Sequence, residues 1–119
     1  MKKKLTTEED YRLRVDRVCM YIREHLDKEI DMRRLAVLSA FSPFHFHRIM
    51  RAYLKEPIGA FIIRTRVETA AKLLRYTDLP VADIAYRVGY DTPSSLTKSF
   101  CKLFGISPKM YRLTKNYQM

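Results

Sequence analysis

Glycine is scarce in this chain, with three in 119 residues. That excludes a fold rich in tight β-hairpins and leaves no glycine-rich loop to cradle a phosphate. The two cysteines, Cys19 and Cys101, lie far apart, have no metal-ligand spacing and give no disulfide framework. No apolar run approaches the roughly 18 residues that a membrane span requires, so no membrane partner is expected. The opening Met1-Lys2-Lys3-Lys4 leads within one residue to Thr6-Thr7-Glu8-Glu9-Asp10 rather than to an apolar stretch. A secretory signal is therefore not expected, and the expected compartment is the cytoplasm. Paired-carboxylate motifs and a nucleophile elbow are also missing, so the chain is not expected to be an enzyme or to carry a cofactor. His45 and His47 resemble a metal pair, but residues i and i+2 of a helix point about 200° apart and cannot share an ion.

Charge is plentiful but unevenly placed. Residues 1–31 carry eight bases and eight acids, whereas residues 32–119 carry fifteen bases and five acids. The whole net charge of +10 thus sits in the second segment. A basic surface attracts phosphates without regard to sequence. Charge alone does not separate such a surface from an ordinary basic protein.

That basic segment contains a repeat. Leu35-Ala36, Phe41-Ser42-Pro43, Phe46, Arg48 and Met50 return as Ile84-Ala85, Tyr90-Asp91-Thr92-Pro93, Leu96, Lys98 and Phe100. The offset is 49 residues before the turn and 50 after it, and it holds on to Leu54 over Phe104 and Phe61 over Tyr111. Each copy has the form of a short helix, a tight turn and a second helix opened by Ser-Pro or Thr-Pro. Ser and Thr are good N-caps, and Pro at the first helical position loses only an N–H that has no partner there. This is the pattern of a helix-turn-helix, and two of them on a basic chain point to DNA.

The remaining signals are also helical. Thr6 or Thr7 with Glu9 or Asp10 forms a capping-box pattern. Val15, Val18, Cys19, Ile22 and Leu26 then recur at spacings of three and four. Asp31 caps a short second helix. Pro57 opens a fourth that runs to about Arg75, Gly89 ends the fifth, Gly105 ends the sixth, and Ser107-Pro108 starts a brief seventh. In the fourth helix, Ile58, Phe61, Ile62, Thr65 and Leu73 fall on one side. Ile63, Val67, Ala70 and Leu74 fall roughly opposite. Two apolar faces suit a connector between two lobes, or a single helix buried in one core.

In the third helix, Phe46, Ile49, Met50 and Tyr53 share an inward face, leaving Phe44, His47, Arg48 and Arg51 outside. The sixth repeats the layout, with Leu96, Phe100, Leu103 and Phe104 inward and Ser94, Thr97, Lys98 and Cys101 outward. Arg and Lys can donate to guanine in the major groove, Ser and Thr to bases or phosphates, and Phe44 can meet a thymine methyl.

From Asp31 to Tyr111 the sequence resembles the AraC/XylS family of bacterial transcription regulators. The resemblance rests on Phe41-Ser42-Pro43-Phe44-His45-Phe46-His47-Arg48, on Arg64-Thr65-Arg66 with Ala70-Ala71-Lys72-Leu73-Leu74, and on Val81-Ala82-Asp83-Ile84-Ala85 and Val88-Gly89-Tyr90. It is most specific at Phe100-Cys101-Lys102-Leu103-Phe104-Gly105-Ile106-Ser107-Pro108. It implies an all-α, homeodomain-like fold of seven helices, in which two helix-turn-helix lobes are joined by a long linker helix. The expected limits are an N-terminal extension over 1–10, a domain over 11–113 and a tail over 114–119. Within the domain, lobe one covers about 11–56, the linker about 57–75 and lobe two about 80–113.

The same resemblance implies sequence-specific binding of double-stranded DNA, with recognition helices in successive major-groove segments about 34 Å apart. Base contacts are expected from Phe44, His47 and Arg48 in lobe one and from Ser94, Thr97 and Lys98 in lobe two. Phosphate contacts are expected from Ser42, Arg51, Thr92 and Lys109. Lys55 stands where the family commonly has Gly ending the first recognition helix, so a strained or differently shaped turn is expected there. Pro93 takes a slot that often holds a polar contact residue. Lobe one is therefore expected to dominate base readout and lobe two to act more through phosphates.

RNA polymerase is a further candidate partner. A small-molecule effector is expected only if a further domain lies outside this chain, which fits either an excised N-terminal domain or a complete small regulator. The reading from a different class is a basic, all-helical protein-interaction module without sequence-specific DNA readout.

Overall fold

A computed structural model describes residues 4–114. Among them are seven helices and no strand: α1 (Thr7–Glu24), α2 (Met32–Ser39), α3 (Pro43–Leu54), α4 (Ile58–Tyr76), α5 (Val81–Arg87), α6 (Pro93–Phe104) and α7 (Pro108–Thr114). The all-α, seven-helix expectation is met. The expected tail lies outside the described residues except for Thr114, which ends α7. The first helix starts at Thr7, so the last residues of the expected extension are helical.

The helix starts follow local chemistry. Thr6 Oγ1 accepts the Glu9 N–H at 3.1 Å while Glu9 Oε1 accepts the Thr6 N–H at 3.1 Å, a complete capping box. Asp31 accepts the Arg33 N–H at 2.9 Å, Ser42 the His45 N–H at 3.3 Å, and Thr92 the Ser95 N–H at 3.1 Å. Each engages a first-turn helix N–H, and the His45 N–H also reaches the Ser42 carbonyl at 3.0 Å.

The chain divides into two compact units, residues 1–25 with 30–61, and residues 26–29 with 62–119. The boundary falls inside α4, between Phe61 and Ile62, rather than at the ends of that helix.

In the first unit α1 packs on α2 and α3, and α2 packs on α3. Val15, Val18, Cys19, Ile22, Leu35, Phe46 and Met50 are buried, as the helical spacing requires. Ser39 is the buried polar residue of this unit. Its Oγ donates to the Ala36 carbonyl at 2.7 Å and accepts the Phe41 N–H at 3.2 Å, so it shapes the turn between α2 and α3.

In the second unit one core gathers Val67, Ala70, Ala71 and Leu74 of α4, Ile84 and Ala85 of α5, Val88, and Leu96 and Phe100 of α6. Phe100 stacks on Phe104 at 4.7 Å and meets Tyr111 edge-on at 5.4 Å, which holds α7 to α6. Arg112 donates to the Leu74 and Thr77 carbonyls at 3.0 and 3.1 Å, closing the C-terminal end of α4.

Three expectations need correction. Ile63, placed on an apolar face of the fourth helix, is 48% exposed. Leu103 and Phe104, placed inward on the sixth, are also exposed, although Phe104 keeps its ring against Phe100 and Tyr111. A helical wheel gives direction only; it does not know where the neighbouring helix ends. Leu26 is buried as expected, yet it lies past the end of α1 and belongs to the second unit.

Candidate nucleic-acid interface

Each unit presents a twelve-residue helix opened by a capped Ser-Pro or Thr-Pro start and closed by a left-handed residue. On α3, burial of Phe46 and Met50 anchors one face and turns Phe44, His47, Arg48 and Arg51 outward, all four exposed. Phe44 is 92% exposed, an unusual position for a large aromatic ring, and it sits in the first turn of the helix. His47, Arg48 and Arg51 line one side of an open cleft completed by Met32, Pro57, Ile58 and Gly59. Three hydrogen-bond donors and one aromatic ring thus share a single helix face in this unit.

On α6, burial of Leu96 and Phe100 places Ser94, Lys98 and Cys101 outside, while Thr97 is half-buried. Lys98 is the one charged side chain among the residues expected to touch bases in this unit. Lys109 is exposed on α7.

Ser42 and Thr92 sit at the N-termini of the two helices, where anions are favoured by the exposed N–H groups and the helix dipole. Their hydroxyls are already engaged. Ser42 Oγ also lies 2.6 Å from His45 Nδ1, and Thr92 Oγ1 lies 3.0 Å from Ser95 Oγ. His45, whose place on the helical wheel flanks the outward face and suggests a flanking contact, is therefore part of the α3 cap. His47 instead meets the Phe46 ring edge-on at 5.2 Å.

The turns that aim these helices are held by arginines. Arg14 donates to the Ala40 carbonyl at the end of α2, at 3.2 Å, with its guanidinium 5.0 Å from the Phe41 ring. Arg66 donates to the Val88 carbonyl at the end of α5, at 3.1 Å. A cation at a helix C-terminus meets the negative end of its dipole. Burial pulls the Arg66 guanidinium below its ordinary value, and an arginine remains charged despite such a shift. Neither role was legible in the spacing of the motifs.

Lys55 ends α3 at φ 64° and its N–H donates to the Arg51 carbonyl at 2.9 Å. Gly105 ends α6 at φ 78° with its N–H to the Cys101 carbonyl at 2.8 Å. The two turns have the same form, so of the two outcomes expected at Lys55 the strained one holds.

A helix-turn-helix domain family model matches residues 35–114. The transcriptional activator AarP of Providencia stuartii is 33% identical over 100 residues, covering 84% of this chain and 74% of that protein. The F1 operon positive regulatory protein of Yersinia pestis is 35% identical over 100 residues, 83% of this chain and 33% of that protein. The chain spans about a third of the length of this and several other curated relatives that it matches. Among solved structures, the DNA-binding domain of the global transcriptional factor AdpA, in complex with a target DNA, has a TM-score of 0.81. It is 28% identical, over 87% of this chain and 95% of that one. The chain belongs to the AraC/XylS family of DNA-binding helix-turn-helix transcription regulators.

Proposed function

We propose that this regulator reads DNA with α3 and α6 in successive major-groove segments, α3 supplying most of the base discrimination. The observation that carries this is the asymmetry of the two outward faces. Phe44, His47 and Arg48 offer an apolar ring, an imidazole and a bidentate donor, against the shorter Ser94 and Thr97 with Lys98. Arg51, Lys109 and the capped starts at Ser42 and Thr92 serve phosphates and set the register. The AdpA domain, solved with its target DNA, supports this use of the fold.

The test is selection of bound sites from a random duplex pool, followed by titration of the selected site at two salt concentrations. The expected result is a motif of two blocks about one helical turn apart, favoured over random DNA by at least about 10³-fold. Recovery of no motif, with a steep salt dependence alone, would leave only the basic interaction module.

AarP is named an activator and the Yersinia protein a positive regulator. That supports activation, and with it a contact with RNA polymerase, which transcription in vitro from a promoter carrying the selected site would test. Effector sensing is assigned to no residue of this chain; in the longer relatives, sequence outside the matched third has room for it. The role is non-enzymatic and the proposed compartment is the cytoplasm, where a bacterial regulator meets its DNA. Among the described residues no helix is long and apolar enough to cross a membrane.

A further inference from the structure

The chain passes between its two compact units at three points: His25 to Leu26, Glu29 to Ile30, and Phe61 to Ile62. The last crossing is the linker helix α4. The first two bracket Leu26–Glu29, the connection from α1 to α2, which joins two helices of one unit yet belongs to the other. So α4 is one of two covalent ties between the units.

The second tie is held by a clasp. Arg66, on α4, donates through Nη2 to the Lys28 carbonyl at 3.2 Å and through Nη1 to the Val88 carbonyl at 3.1 Å. Charge-assisted bonds of this kind are about twice as strong as neutral ones. Leu26 is buried. Gly89, at φ 96°, presses so closely that a Cβ there would overlap the Arg66 guanidinium and the Leu26 carbonyl oxygen. One guanidinium thus fastens the α1–α2 connection to the turn that precedes α6.

We propose that Arg66 is a positioning residue for half-site spacing: by clasping Leu26–Glu29 it keeps the second tie short and so narrows the spacings of DNA blocks the two lobes can bind together. The proposal rests on the two-lobe reading of DNA above. Its scale is sufficient. Four released residues can span about 13 Å when extended, whereas one base pair changes the spacing by about 3.4 Å and the rotation by about 35°.

The experiment uses the selected site and versions with one base pair added or removed between the two blocks, titrated with the full chain by fluorescence anisotropy. Wild-type protein is expected to lose about tenfold in affinity, the size of a mismatched contact, for either change. Arg66→Ala is expected to lose less than about threefold on the same change, while base substitutions within each block penalise both proteins alike. Inserting three glycines between Glu29 and Ile30 leaves Arg66 and both carbonyls in place, lengthens the tie, and is expected to widen the tolerance in the same way. This second variant decides the matter if Arg66→Ala does not fold.

Leu74→Ala, in the core of the same unit, lowers the melting temperature without touching the clasp, and is expected to keep the wild-type spacing penalty. The inference is overturned if the folded variants keep that penalty, or if Leu74→Ala relaxes it equally. Should wild-type protein select a single block, the two-lobe reading itself falls and takes this proposal with it.

Discussion

The two units carry the same pair of left-handed backbone positions and fill them differently. The repeat sets Ala40 against Gly89 and Lys55 against Gly105, and all four have positive φ: 59° and 64° in the first unit, 96° and 78° in the second. An L-residue with a Cβ costs roughly 1–2 kcal/mol in this region, and glycine avoids that cost. The first unit therefore bears strain that the second does not. The cap hydrogen bonds of Lys55 and Gly105 nevertheless match to within 0.1 Å. The backbone path is set by the helix end and the packing around it, and glycine only makes that path cheaper. Gly89 is different, because its neighbours leave no room for a side chain at all.

The sharpest test of this contrast is at that position. Gly89→Ala brings both a steric overlap and a positive φ, and is expected to cost about 3 kcal/mol or more. Ala40→Gly, at the matching place, relieves strain and is expected to stabilise or leave stability unchanged. Urea denaturation of both variants checks the opposite signs. Equal losses would mean that the two turns are under the same constraint.

The outward faces give the next largest effect. Arg48→Ala is expected to cost about 1–3 kcal/mol on the preferred site and to relax sequence preference in its block. Lys98→Ala is expected to weaken binding more uniformly across sequences and to reduce the salt slope by about one. Competition titrations against sites altered in each block measure both. A greater loss of sequence preference from Lys98→Ala would invert the proposed division of labour.

The caps come third. Lys55→Gly is expected to stabilise by about 1 kcal/mol, and Gly105→Lys to destabilise by a similar amount, since no atom lies within 4 Å of a Cβ there. Thermal melts of the two single variants would show whether the exchange is symmetrical. The cysteines offer the gentlest comparison. Cys101 is exposed and is expected to react with a thiol reagent in the native protein. Cys19 is buried, and loss of solvation pushes its thiol pKa up, so less thiolate forms. It is expected to react at the rate of unfolding, which a labelling time course with and without urea would resolve.

Much of this arrangement was legible in the chain because its signals are local. Thr6, Asp31, Ser42 and Thr92 mark helix starts, since capping involves residues within three positions of one another. The inward stripe of Phe46 and Met50, and that of Leu96 and Phe100, follow from helical periodicity alone. The outward faces of α3 and α6 then follow by subtraction. Leu103 shows where that reasoning stops. Its counterpart Tyr53 is half-buried and donates to Glu8 at 3.2 Å, with Arg12 lying 5.4 Å from its ring, while Leu103 stays exposed.

By itself, then, the sequence determined the helices, their caps, the repeat and the outward faces proposed to meet DNA, because each depends on residues a few positions apart. Tertiary structure alone decided that Leu26–Glu29 belongs with the second unit, that Arg66 reaches the carbonyls of Lys28 and Val88, and that Gly89 has no space for a Cβ. Those contacts join residues 22 and 38 positions apart through backbone carbonyls. Every residue has a carbonyl, so no side-chain pattern marks which ones an arginine will find.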